Sequence, residues 1–296
     1  MRILVTGTEG QLARSLVERA AGHPDLELIA IGRPELDLEQ EGSAASAIAQ
    51  AAPDIVINAA AYTAVDQAED EPERALRINA DAAGEVAAAA AGVGAAVIQL
   101  STDYVFDGTG SGAYREDAPV NPLGVYGRSK LAGEEQVRAA NPRHAIVRTA
   151  WVYSPFNANF VKTMLRLAEA RDEVSVVADQ QGNPTSALDI ADTVIEVLTK
   201  LSASSDQQLG GVFHMTGQGD TTWAEFAAAI FSASADHNGP HARVRPITTS
   251  EYPTKAQRPA NSRLDSRKLA RTYGVRLPPW RESLERVVVR LLQPQA

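Results

Sequence analysis

Apolar residues in this chain fall into short unbroken runs, separated by longer stretches with helical spacing. The runs are Ile3-Leu4-Val5, Leu28-Ile29-Ala30-Ile31, Ile55-Val56-Ile57, Ala96-Val97-Ile98-Gln99-Leu100 and His144-Ala145-Ile146-Val147-Arg148. Runs this short and this apolar predict strands buried on both faces. Between them, Leu12, Leu16, Val17 and Ala20 mark one face of a helix, an Ala-rich helix runs from Asn79 to about Ala91, and another helix starts at Val125. Alternating strands and helices predict an α/β fold, a doubly wound parallel sheet with right-handed crossovers. The default strand order is 3-2-1-4-5-6. From Phe156 the pattern loosens. It predicts a helix over about 157–170, a strand at Val174–Val177, a polar turn at 179–185, a helix starting at Ile190, and a strand at Gly211–Met215 that completes the sheet. A capping box at Thr222–Glu225 opens a further helix. A polar loop spans Ser202–Gln208, residues 242–264 are loop-rich, and Trp280–Leu292 is a closing helix. The expected organisation is a nucleotide-binding unit over 1–155, its sheet completed by later segments, and a mainly substrate-binding region over 156–296.

Composition narrows the class. At 296 residues and 44% apolar content the chain is globular and long enough for such a unit plus a smaller partner region. The absence of cysteine excludes disulfides, thiolate metal sites and Cys nucleophiles, and fits a reducing cytoplasm. The N-terminus runs directly into a strand pattern rather than a signal peptide, and no apolar run is long enough to span a bilayer. A net charge of −9 argues against nucleic acid as a partner. The charge is uneven: residues 243–296 hold 12 Lys or Arg against 4 acids. That basic segment suits an anionic ligand such as a diphosphate, or is a set of solvated surface arginines.

Candidate chemistry sits where strands end. After the first strand, Thr6-Gly7-Thr8-Glu9-Gly10-Gln11-Leu12-Ala13 links strand to helix. Gly7 permits a sharp turn, Gly10 lets backbone approach a ligand, and the helix N-terminus suits a pyrophosphate. After the second strand stands Gly32-Arg33, where an acid would hold a ribose 2′-hydroxyl. Arg33 there accommodates a 2′-phosphate and favours NADPH, with NADH admissible; otherwise it is an ordinary loop arginine. Asp37-Leu38 follows in a loop placed to meet adenine. Small residues after Asn58 leave room for a cofactor ribose. The acidic run Asp66–Glu71 reads as a solvated helix entrance rather than a metal site. Ser101-Thr102 closes a central strand, where hydroxyls face the ligand crevice, although Thr102 could simply cap a turn. Tyr126 and Lys130 lie one turn apart on a helix face. A nearby ammonium favours phenolate, so the Tyr126 pKa is expected to fall toward working pH, as a general acid or base requires.

The ordered set Thr6-Gly7-x-x-Gly10, Asn58-Ala-Ala, Ser101-Thr102 and Tyr126-x-x-x-Lys130 resembles the extended short-chain dehydrogenase/reductases. Asn58–Asp66, Ser101–Gly108, Tyr126-Gly-x-Ser-Lys130, Arg148–Tyr153, Gly182-x-Pro-Thr185 and Arg258–Arg263 narrow the resemblance to the dTDP-4-dehydrorhamnose reductase family, over roughly residues 1–290. The resemblance implies reduction of the C4 keto group of a dTDP-sugar by NADPH. Tyr126 would be the proton donor, Lys130 would lower its pKa and hold the nicotinamide ribose, and Thr102 would polarise the carbonyl. Asp103 and Trp151 match family positions beside the sugar, though Trp151 could be a core aromatic. Gly10, Gln11, Leu12, Asp37, Leu38, Ala61, Tyr62 and Thr63 match cofactor-contacting positions. Arg258 and Arg263 are candidates for the diphosphate, as guanidinium forks suit phosphate oxygens. Some family members bind Mg²⁺ at a dimer interface through Glu side chains; Ser15 and Leu188 stand at those positions here, so no metal is expected and the state is expected to be a monomer or weak homodimer. Two alternatives stand beside it: another nucleotide-sugar reductase, epimerase or dehydratase, which shares Thr/Ser, Tyr and Lys, and a cofactor-binding regulatory subunit of the same fold, a class that often loses part of the triad, whereas Thr102, Tyr126 and Lys130 are all present here.

Overall fold

In the computed structural model, residues 1–203 and 206–293 are described; Ser204 and Ser205, in the middle of the expected polar loop, lie outside them. The five central apolar runs form strands: β1 (Arg2–Thr6), β2 (Glu27–Ile31), β3 (Ile55–Asn58), β4 (Ala96–Thr102) and β5 (His144–Thr149). With β6 (Gly211–His214) they make one parallel six-stranded sheet.

The strand order is β2-β1-β3-β4-β5-β6, not the 3-2-1-4-5-6 arrangement expected. Residues 32–54, which carry the helix α2 (Ser43–Ala51), join β2 to β3 and cross back to the free edge of β1 rather than to the outer side of β2. A crossover of this length, with a helix, can reach either edge. The order reverses between β1 and β3, and that point is where an open α/β sheet forms its crevice.

Both sheet faces are covered. On one lie α1 (Gln11–Ala20) and, from far along the chain, α6 (Ala187–Ala203), with Leu16, Ile190, Val194 and Leu198 packed on Ile3, Ile55, Ile57 and Ile98. On the other lie α2, α3 (Ala82–Gly92) and α4 (Val125–Ala140), packed on Leu4, Val56, Val97 and Ile146. Each fully buried Ile, Leu or Val contributes about 2 kcal/mol relative to exposure, which is why the sheet needs cover on both sides. The Ala-rich helix starts later than its composition suggests: residues 77–81 form a wider π turn before α3.

The remaining segments build a second apolar cluster from α5 (Phe160–Ala168), α7 (Trp223–Asp236) and α8 (Trp280–Leu292). The Thr222–Glu225 capping box is formed. Residues 243–247, expected as loop, make a strand parallel to 173–177. That strand carries Arg243, Arg245 and Pro246, so it lacks the apolar run that marks a buried strand. A bidentate ion pair from Arg290 to Glu18 ties α8 to α1.

Candidate active site

A cleft of about 940 Å³ opens along the C-terminal ends of β1, β3, β4 and β5. Gly7, Gly10, Gln11, Leu12, Arg33, Asp37, Leu38, Ala61, Tyr62, Thr63, Thr102, Asp103, Tyr126, Lys130 and Trp151 all line it.

At one end stands the glycine turn. Gly7 has φ +86°, a conformation glycine adopts without strain. A Cβ on Gly10 would meet nothing within 4 Å, so the cleft is open against that backbone. No side chain caps α1, and its first turn carries no acid, leaving its N–H groups free for an anion. Nearby, Arg33 and Arg74 both approach Glu39, at 3.8 and 2.7 Å. The site thus suits a dinucleotide: a pyrophosphate turn at one position and two guanidinium groups beside the adenosine loop.

The other end is built by α4 against β4. Glycines let α4 approach the turn after β4 and the π turn before α3. A Cβ on Gly127 would lie 2.2 Å from the Tyr104 carbonyl oxygen, and one on Gly133 would lie 2.0 Å from that of Asn79. Glu69 accepts from the Val125 N–H at 2.8 Å, anchoring the helix start. Asn79 accepts from Tyr62 N–H (2.9 Å) and donates to Tyr62 O and to Ser129 Oγ (both 3.0 Å), joining the cofactor loop to α4. The Lys130 ammonium donates to the Leu100 carbonyl at 2.6 Å. That carbonyl also accepts from Gln99, whose side chain is reached from Thr6 through Asn58. A buried polar chain therefore runs across the strand ends from the glycine turn to Lys130.

Electrostatics here are set mainly by burial. Lys130, 4% exposed, is pulled down to about 8 by burial, partly opposed by the negative charge of Glu134. The Tyr126 phenol is pushed above its ordinary range by burial and by the Asp103 charge, with the Thr102 hydroxyl pulling it back in part. The expected fall in the Tyr126 pKa is therefore not what this structure has: burial disfavours the phenolate, and the Lys130 ammonium is turned to the Leu100 carbonyl instead. Asp103 is pushed up to about 6 by burial, offset by hydroxyls of Ser262 and Thr102. Thr102 Oγ1 donates to Asp103 at 2.9 Å, and Tyr104 stacks edge-on to Tyr126 at 5.6 Å between centroids.

Trp151 is half-buried with φ +48° and stacks on Trp223 at 3.6 Å. A Cβ on Gly182 would fall 2.3 Å from its ring, which explains glycine at that position. The two candidate diphosphate arginines separate. Arg258 lies over Tyr104, which lines the cleft, and pairs with Asp66 at 2.6 Å. Arg263 lines a different hollow and pairs with Asp220 at 3.2 Å; neither arginine is itself among the residues that line the cleft. The acidic run is not merely solvated: Asp66 holds Arg258 and the Ala256 N–H, Glu69 holds α4, Asp70 pairs with Lys255, and Glu71 binds Tyr62 and Arg74. Ser15 is buried with its hydroxyl on the Gln11 carbonyl, and Leu188 sits in the second apolar cluster.

Residues that the sequence reading passed over are Asn79 as a bridge, Gln99, Arg74, and the buried pair Glu134–Arg148. The one available signal was spacing, since Glu134 repeats the four-residue step from Tyr126 to Lys130.

A parallel sheet with a glycine turn at its switch point, and a Tyr–Lys helix facing a strand-end Thr, define an extended short-chain dehydrogenase/reductase. Residues 1–293 match the family model described as RmlD substrate binding domain, and the chain belongs to this family, that of the dTDP-4-dehydrorhamnose reductases. It is 51% identical to the dTDP-4-dehydrorhamnose reductase of Sinorhizobium fredii, across 99% of this chain and 98% of that one. The crystal structure of a dTDP-4-dehydrorhamnose reductase from Clostridium acetobutylicum superposes with TM-score 0.92 at 40% identity, covering 99% of this chain and 100% of the other. That of the Bacillus anthracis reductase, in complex with NADP, gives 0.90 at 37% identity over 98% and 99%.

Proposed function

We propose that this chain reduces the C4 keto group of dTDP-4-dehydro-β-L-rhamnose with NADPH, giving dTDP-L-rhamnose. The observation that carries it is the convergence of Thr102, Tyr126 and Lys130 on one end of a cleft whose other end is a pyrophosphate turn. The reduced nicotinamide supplies the hydride. The protein supplies geometry and a proton. As C4 takes up hydride, negative charge grows on O4. Thr102 Oγ1, its hydrogen turned from Asp103, donates a hydrogen bond to that oxygen, and the Tyr126 hydroxyl donates the proton. A phenol held protonated by burial is the right starting state for a reduction, because it must give a proton rather than take one. The transient phenolate is then stabilised by the Lys130 ammonium, held on the Leu100 carbonyl. Trp151 and Asp103 contact the sugar. Arg258, over Tyr104 of the cleft lining, is the better placed of the two candidates for the diphosphate. Arg33, aided by Arg74, receives the 2′-phosphate.

Among the described residues no helix is long and apolar enough to cross a membrane. We place the enzyme in the cytoplasm, as a monomer or weak homodimer acting on a free nucleotide sugar. The test is loss of reduced nicotinamide absorbance with freshly prepared dTDP-4-dehydro-L-rhamnose. One NADPH consumed per dTDP-L-rhamnose formed is expected. Sugar turnover with no net NADPH loss would instead identify an epimerase.

A further inference from the structure

Glu134 lies one turn beyond Lys130 on α4, on the face that already carries Tyr126. Its carboxylate is fully buried. Arg148 on β5 grips it with both fork nitrogens, at 2.8 and 2.6 Å, and the Ser101 hydroxyl donates to it at 2.6 Å. On β4, Leu100 holds Lys130, Ser101 holds Glu134, and Thr102 faces the cleft. Successive residues of one strand therefore fix successive turns of one helix. A shift of α4 along β4 would break both contacts together.

We infer that Glu134 is a positioning residue for the reaction: clamped by Ser101 and Arg148, it locks Tyr126 and Lys130 opposite Thr102 and sets a buried negative charge beside the Lys130 ammonium. The inference rests on the reading that Tyr126 and Lys130 do the chemistry. The charged or titratable groups packed around this corner are Glu134 and Arg138 on α4, Arg148 on β5, Asp103 and Tyr104 after β4, and His214 on β6. Arg138 reaches Glu134 only at 3.9 Å from the surface. His214 stays neutral, pushed down to about 3 by burial and by Arg148, with its Nδ1 donating to the Tyr114 carbonyl. Glu134 is the charged group that acts on Lys130, and it favours the cation. A buried ion pair need not add stability over apolar residues, so its presence at this point fits a role in placement.

The experiment compares pH profiles of kcat for the intact enzyme and Glu134→Gln, with NADPH affinity measured alongside. The cationic form of Lys130 is the active one, so wild-type activity declines as pH rises through about 8. Removing the Glu134 charge lowers the pH at which the ammonium is lost. Expected for Glu134→Gln is an alkaline limb about one pH unit lower and kcat about fivefold lower at pH near 8, with smaller losses in more acidic solution. Glu134→Asp, which keeps the charge, is expected to return the limb to its wild-type position. An unmoved limb in Glu134→Gln, while Lys130→Met abolishes turnover, overturns the inference alone. Full activity in Lys130→Met or Tyr126→Phe overturns the underlying reading. Should Glu134→Gln fail to fold, Ser101→Ala carries the test. A kcat about threefold lower with KM for NADPH unchanged supports the lock; a lower Tm with kcat unchanged removes it.

Discussion

The two ends of the cleft are built differently. Where α4 meets β4, Lys130, Glu134, Arg148, Ser101 and Asn79 are all buried, and each side chain has at least one named partner within the fold, although Arg148 Nη1 has none. At the adenosine end, the Arg33 side chain is 70% exposed and shares Glu39 with Arg74, which is itself 45% exposed. In the proposed reaction the first end places a proton donor to a fraction of an ångström in a low dielectric, where each charge counts heavily. The second, in the same proposal, needs only affinity for a phosphate, and solvent-screened charges supply that without fixed geometry. Buried polar contacts are therefore concentrated at the end where the proposed reaction changes a bond.

The largest effect should come from the buried end. Tyr126→Phe removes the proton donor but leaves ring packing on Tyr104 intact, so kcat is expected to fall about 10²–10⁴-fold with NADPH affinity nearly unchanged. Near-normal turnover would mean another group donates the proton. Next in size is Gly133→Ala, whose Cβ would press on the Asn79 carbonyl. A loss of about 1–3 kcal/mol in chemical denaturation is expected. Gly10→Ala, at the open end, should leave Tm unchanged while weakening NADPH. If both glycines behaved alike, the contrast between the ends would fail. The smallest effect belongs to Arg33→Ala, expected to weaken NADPH about fivefold and NADH hardly at all, less so at high salt. An unchanged preference would shift the 2′-phosphate away from Arg33.

The apolar runs and glycine punctuation made the Rossmann-type layers legible, because a strand buried on both faces must be apolar throughout. The Tyr126–Lys130 step, Thr102 and the glycine turn were legible for a similar reason: each sits at the end of a recognisable element. Long-range partners were not. Asp66 and Arg258 are 192 residues apart, and nothing local in either shows that they pair. The edge strand at 243–247 escaped because one neighbour and an exposed face leave no apolar signature.

By itself the sequence determined the six strands of the central sheet and the main helices around them, which chemistry stands at their ends, and the family. Only the tertiary structure decided the strand order, since a helix-bearing crossover can reach either sheet edge. It also decided that Arg263 leaves the cleft, that burial raises rather than lowers the Tyr126 pKa, and that Glu134 meets Arg148. Pattern is a property of neighbours along the chain, whereas desolvation and ion pairing depend on what the fold packs around a group, often from residues far away in the chain.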